Sequence, residues 1–176
     1  VGTTGLSAMD YLLADRYEVP PGTESCYCEK ILRLPDSYVA FDAPDDAPPV
    51  GPLPALGAGC VTFGCFNNPA KINPPVVAAW SRILHKVPGS RMVLKYCGVD
   101  DSANADRIGR LFAAHGVGPD RLGFCGASGP QDMQAGYSRI DVALDTFPYG
   151  GGLTTCEALW MGVPVVTWPG ETFAGR

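Results

Sequence analysis

The stretch DTFPYGGGLTTCEALWMGVPVVT, residues 145–167, decides the fold. It reads as the end of a strand, a glycine-rich turn, a short helix and a second buried strand. Three consecutive glycines, Gly150, Gly151 and Gly152, separate the apolar strand from a helix that begins with threonines. Glycine is costly in backbone entropy. A run of it implies a turn that no other residue makes, or the close approach of something to the backbone.

Upstream of this stretch the same alternation repeats. VTFGCF (61–66), RMVLKYCG (91–98), RLGFCG (121–126), IDVALD (140–145) and VPVVTW (163–168) are strand candidates. Helical patterns lie between them at 73–89, 104–116, 130–139 and 154–162. The first has both ends marked, with Asn73 as cap, Pro74 in the first turn and Pro88-Gly89 as stop. Val76, Val77, Trp80, Ile83, Leu84 and Val87 share one face of it at helical spacing. The strands are continuously apolar, as expected when helices cover both faces of a parallel sheet. From residue 61 onward the fold class is therefore α/β, a Rossmann-like, doubly wound parallel sheet.

The amino-terminal part is less regular. SAMDYLLAD (7–15) suggests a short helix and SYVAF (37–41) a short strand. DAPDDAPPVGPLPALGAG (42–59) is dense in proline, which breaks helix and sheet alike, so it reads as a linker or an extended crossing. The chain opens at Val1 and stops at Arg176 within PGETFAGR, as a segment of a longer protein would.

The net charge of −5 excludes a broad basic face for nucleic acid or acidic lipid, but leaves room for one local anion site. No apolar run approaches the roughly 20 residues that span a bilayer. The seven cysteines lack CxxC spacing and fit small hydrophobes in a reducing cytoplasm, and no metal site is expected.

In open parallel sheets, ligands bind beyond the carboxyl ends of the strands. The glycine turn sits there and leads into a helix whose first amides point at a ligand with the positive end of the dipole. Thr154 and Thr155 suit capping, anion contact, or both, and Glu157 suits ribose hydroxyls. The turn is expected to cradle a nucleotide diphosphate; the plainer alternative is a tight connection only. It lacks the GxGxxG pattern and comes late in the fold, against an NAD site. A second loop, GCFNNPAKINPP (64–75), also follows a strand; it offers Asn67, Asn68 and the cation Lys71, against the alternative of a solvated loop lysine. A lysine there would neutralise a departing diphosphate. Trp80 and Trp160 are expected as core anchors, His85 and His115 as structural residues, and Glu171 as solvent-exposed. Asp145 is expected to organise its loop without a catalytic role.

FNNPAKINP, W-x-x-IL-x-x-VP-x-S, the run from Asp141 to Arg176, and GTTGLSAMDYLLAD occur in this order. In all four blocks the chain resembles the O-GlcNAc transferase/SPINDLY family of glycosyltransferases, especially its bacterial members. The resemblance implies a GT-B architecture usually preceded by tetratricopeptide repeats. It implies inverting, metal-independent transfer of N-acetylglucosamine, or a related sugar, from a UDP-sugar to Ser/Thr of proteins, with no cofactor beyond that donor. Residues 1–43 then resemble the tail of the amino-terminal catalytic lobe, 44–60 a linker, and 61–176 a truncated nucleotide-sugar-binding carboxyl lobe.

By position in the motifs, the resemblance implies Lys71 as the catalytic residue that binds the diphosphate and assists its departure. Asn68, Gly151, Gly152, Leu153, Thr154 and Thr155 would contact the phosphates, Glu157 the ribose, and backbone near Ser128 the uracil. The chain departs from the family at Met133, where a histidine is frequent, and at Gly152 and Leu153, where histidine or threonine is. The lobe proposed to position the acceptor would lie upstream, so the segment alone is expected to be inactive. The alternatives are a non-catalytic nucleotide-sugar-binding or scaffolding fragment, and another GT-B enzyme.

Overall fold

The computed structural model describes residues 2–126, 129–170 and 175. Two short strands near the amino terminus, β1 (Tyr11–Ala14) and β2 (Lys30–Arg33), pair in parallel. Tyr11 to Ala14 are thus extended where SAMDYLLAD suggested a helix, because their backbone partner lies far along the chain. SYVAF forms no strand.

The proline-rich stretch is not wholly extended. It contains α1 (Pro54–Ala58), with Pro54 at the first helical turn, where proline has no amide to lose. Its own N-cap, Leu53, offers no side chain. Asp141 caps it from afar, accepting from Ala55 N at 2.8 Å and from Thr62 N at 2.8 Å. That buried carboxylate ties the linker to the sheet.

The main body follows as β3 (Thr62–Cys65), α2 (Pro74–Lys86), β4 (Arg91–Lys95), α3 (Ser102–Ala113) and β5 (Leu122–Cys125). It continues with α4 (Pro130–Tyr137), β6 (Val142–Leu144), α5 (Leu153–Trp160) and β7 (Val165–Val166). The sheet order is β5-β4-β3-β6-β7, and every pair is parallel. The chain winds outward from β3 to β5, then returns to the other side of β3 for β6 and β7. The direction of winding therefore reverses between β3 and β6, and a crevice opens at their carboxyl ends.

Two apolar layers flank the sheet. On one side α2 and α3 bury Val76, Val77, Trp80, Leu84, Ile108 and Phe112 against β3 and β4. On the other, α4 and α5 bury Tyr137, Ala158 and Met161 against Phe66 and Ala143. Asn73 caps α2 as expected, accepting from Val76 N at 3.0 Å. Trp80 is a core anchor, but Trp160 is 54% exposed. Ala158 is the buried residue of α5, and at about 100° per residue Trp160 lies some 200° round the helix from it. It meets Phe41, with ring centroids 6.4 Å apart. His85 is structural, bonded through its ring to His115 O at 2.8 Å.

Candidate active site

The loops after β3 and β6 meet across the crevice. Lys71 ends a single 3-10 turn, Pro69–Lys71, whose cap is Asn68; the Asn68 side chain accepts from Ala70 N at 2.9 Å. From α3, Arg107 holds the backbone of this loop, donating to Ile72 O at 2.9 Å and Pro69 O at 2.8 Å. Asn73 Nδ2 reaches over to Phe147 O at 2.9 Å. The lysine is therefore presented from a braced turn and not from a loose one.

Lys71 Nζ points at the glycine turn. It donates to Gly150 O at 2.8 Å and lies 3.5 Å from Asn67 Oδ1. The Tyr149 ring covers it, 4.3 Å from Nζ to the centroid. Burial pushes its ammonium below the usual lysine range, and the negative charge of Asp145 offsets part of this. A cavity of about 330 Å³ opens beside it, lined by Asn68, Lys71, Asn73, Phe147 and Tyr149.

Asp145 is the hub of the second loop. Its Oδ1 accepts from Asn67 Nδ2 at 2.9 Å, Thr146 N at 2.8 Å and Gly151 N at 2.8 Å, and its Oδ2 from Thr167 Oγ1 at 2.9 Å. It organises the turn, as its place at a strand end suggested. Asn67, buried between the loops, links this hub to α5 by accepting from Thr154 Oγ1 at 3.1 Å.

None of the three glycines has a positive φ, so the turn's conformation does not demand them. Space does at Gly151. A Cβ there would stand 2.8 Å from Thr154 Oγ1 and 2.9 Å from Thr155 Oγ1. At Gly152 a Cβ would meet nothing within 4 Å, so that position faces open room at the helix start. Gly151→Ala is expected to cost about 1–3 kcal/mol of stability through overpacking. Gly152→Ala should leave urea denaturation nearly unchanged, and equal effects of the two would contradict this assignment.

Thr154 and Thr155 do not cap α5. Their hydroxyls are turned inward, Thr154 to Asn67 and Thr155 to Gly151 O at 3.1 Å, while Gly152 is the N-cap and has no side chain to offer. Among the described residues no side chain caps the helix start, which leaves the amides of Leu153 and Thr154 to an anion, those of Thr155 and Cys156 being bonded to Gly152 O. Leu153 is 66% exposed at the mouth. Glu157 lies one turn in, where burial raises its carboxyl above the usual range and the Tyr137 hydroxyl, 3.3 Å away, counteracts this. Tyr137 OH also lies 3.0 Å from Thr154 O, and burial beside Glu157 pushes the phenol up.

The structure thus brings together Lys71, Gly151, Gly152, Leu153, Thr154, Thr155 and Glu157. Asn68 is at the cavity wall with its carbonyl oxygen engaged by its own turn. Ser128 and Glu171 lie outside the described residues. Arg107 and Tyr137 went unnoticed in the sequence, and Asn67 was noticed only as one amide of a pair. A larger groove of about 610 Å³ at Phe41, Pro44, Pro48 and Trp160 lies at the far end of α5, away from the lysine.

A doubly wound parallel sheet with a cation and a helix start at its switch point has the form of a nucleotide-binding lobe. Residues 54–176 match the profile of glycosyl transferase family 41. The chain is 43% identical over 174 residues to a probable UDP-N-acetylglucosamine–peptide N-acetylglucosaminyltransferase SPINDLY of Petunia hybrida, covering 98% of this chain and 19% of that protein. It is 32% identical to the SEC protein of Arabidopsis thaliana, a probable enzyme of the same name, over 99% of this chain and 18% of that one. A solved O-GlcNAc transferase of Thermobaculum terrenum, a lysine-to-methionine variant, superposes with TM-score 0.92 at 41% identity, covering all of this chain and 33% of that one. The chain belongs to glycosyl transferase family 41. It spans about a fifth of the length of these curated relatives.

Proposed function

We propose that residues 61–176 are the nucleotide-sugar-binding carboxyl lobe of a UDP-sugar-dependent protein O-glycosyltransferase, with residues 1–43 the tail of its amino-terminal lobe. The enzyme transfers N-acetylglucosamine, or a related sugar, to Ser or Thr hydroxyls of acceptor proteins. The observation behind this is the Lys71 ammonium, 2.8 Å from Gly150 O, beside the uncapped start of α5. The names of the relatives support the donor and acceptor classes.

The diphosphate lies against the first amides of α5, with Gly152 giving it room. Asn68 flanks it, and Glu157 accepts from the ribose. As the bond from sugar to phosphate breaks, negative charge grows on the departing UDP. Lys71 and the helix terminus stabilise that charge more in the transition state than in the ground state, with no metal. The anomeric centre inverts as the acceptor oxygen attacks from the opposite side. Upstream tetratricopeptide repeats and an amino-terminal lobe position the acceptor. The seven cysteines are free, which fits a reducing cytoplasm. Among the described residues no helix is long and apolar enough to cross a membrane.

Calorimetry of this chain with UDP and with NAD tests the assignment. UDP is expected to bind and NAD to give no comparable heat. NAD binding as tight as UDP, or no UDP binding at all, would overturn it.

A further inference from the structure

Lys71 carries its ammonium on a long flexible stem, and holding such a side chain in one direction costs rotamer freedom. The bond to Gly150 O is one anchor, while Asn67 Oδ1 at 3.5 Å is too distant to be a strong second. Among the described residues no carboxylate forms an ion pair with it. The second anchor is the face of Tyr149, whose ring centroid lies 4.3 Å from Nζ.

The backbone around Tyr149 is fixed without help from its side chain. Its carbonyl accepts from the Oγ1 of buried Thr146 at 2.7 Å, and Gly151 N beyond it is tied to Asp145 at 2.8 Å. The side chain itself is 52% exposed, so neither the turn nor the core accounts for an aromatic there. Contact with Lys71 does. An aromatic face attracts an ammonium through its quadrupole, without neutralising the charge and without claiming a directed N–H. A carboxylate in the same place would compete with phosphate for both.

We propose that Tyr149 is a positioning residue, its ring holding the Lys71 ammonium at the glycine turn while leaving the charge and the remaining N–H groups to the departing diphosphate. This rests on the UDP site proposed above.

A double-mutant cycle in the complete enzyme tests it. Tyr149→Leu is expected to lower kcat about fivefold, in the range of an ammonium–ring contact, with KM for the donor held within about twofold. In the Lys71→Ala background the same change should alter kcat by less than about twofold, because the ring then has nothing to hold. Tyr149→Phe keeps the face and should restore most of the loss. Proton resonances of selectively labelled lysine read the contact in this chain without any ligand. The Lys71 ε-methylene protons should lie upfield under the ring, stay there in Tyr149→Phe and return to ordinary lysine positions in Tyr149→Leu. Equal losses of kcat in both backgrounds, undiminished kcat in Tyr149→Leu, a loss as large in Tyr149→Phe, or absence of the upfield shift would overturn the role of Tyr149. Absence of sugar transfer by the unsubstituted enzyme, with the shift present, would overturn the UDP site and the role with it.

Discussion

Lys71→Ala is expected to lower sugar transfer by the complete enzyme about 10²–10³-fold, the usual effect of removing one preorganised group aimed at developing charge. Among the described residues it is the cation that meets the glycine turn, and Arg107 braces its loop from behind without facing the crevice. The loss should appear mainly in kcat, because the charge it offsets grows as the bond breaks. Stability should not fall in parallel. Burial lowers the Lys71 pKa, so the folded state holds this ammonium at a disadvantage. That disadvantage is complete below the depressed folded pKa and is relieved as pH rises toward the ordinary lysine value. Removing the ammonium therefore leaves thermal unfolding at neutral pH unchanged or slightly higher. UDP affinity should in turn weaken as pH climbs through the depressed value, where the unliganded lysine loses its proton. Turnover that survives Lys71→Ala, or UDP affinity that rises with pH across that range, would remove the lysine from the chemistry.

The parts of the molecule that were legible in its sequence share a physical trait. β3 to β7 announce themselves as short continuous apolar runs, and α2 by the Asn73 cap and a one-sided apolar face. Both signals are local. The strand at Tyr11–Ala14 is not, because its hydrogen bonds go to Lys30–Arg33 and an apolar run of that length fits either helix or strand. The short helix at Pro54–Ala58 depends on Asp141, 86 positions from Ala55. In the site, Lys71 and the glycine turn were legible because both follow strands at the binding edge. Which of two adjacent asparagines turns inward was not, since only the tertiary fold puts Asn67 between Asp145 and Thr154 while Asn68 caps its own turn. Arg107 sits in an ordinary amphipathic helix, and no residue near it in sequence marks its grip on Pro69 and Ile72.

Asp145 separates geometry from charge in the same turn. Asp145→Ala is expected to destabilise the protein by about 3–5 kcal/mol, since it strands the buried Asn67 amide and the amides of Thr146 and Gly151. Asp145→Asn keeps an oxygen for those three donors and changes only the atom facing the Thr167 hydroxyl, which can rotate to accept instead of donate. Its cost should be about 1 kcal/mol. Urea midpoints at constant m-value measure both. The asparagine variant also withdraws a negative charge that supports the Lys71 ammonium, so its UDP affinity should begin to weaken at lower pH than in the unsubstituted protein. If Asp145 acted only as a charge beside the lysine, alanine and asparagine would behave alike in both measurements. A hub built on hydrogen bonds instead requires alanine to unfold far more readily while the two share the altered pH response.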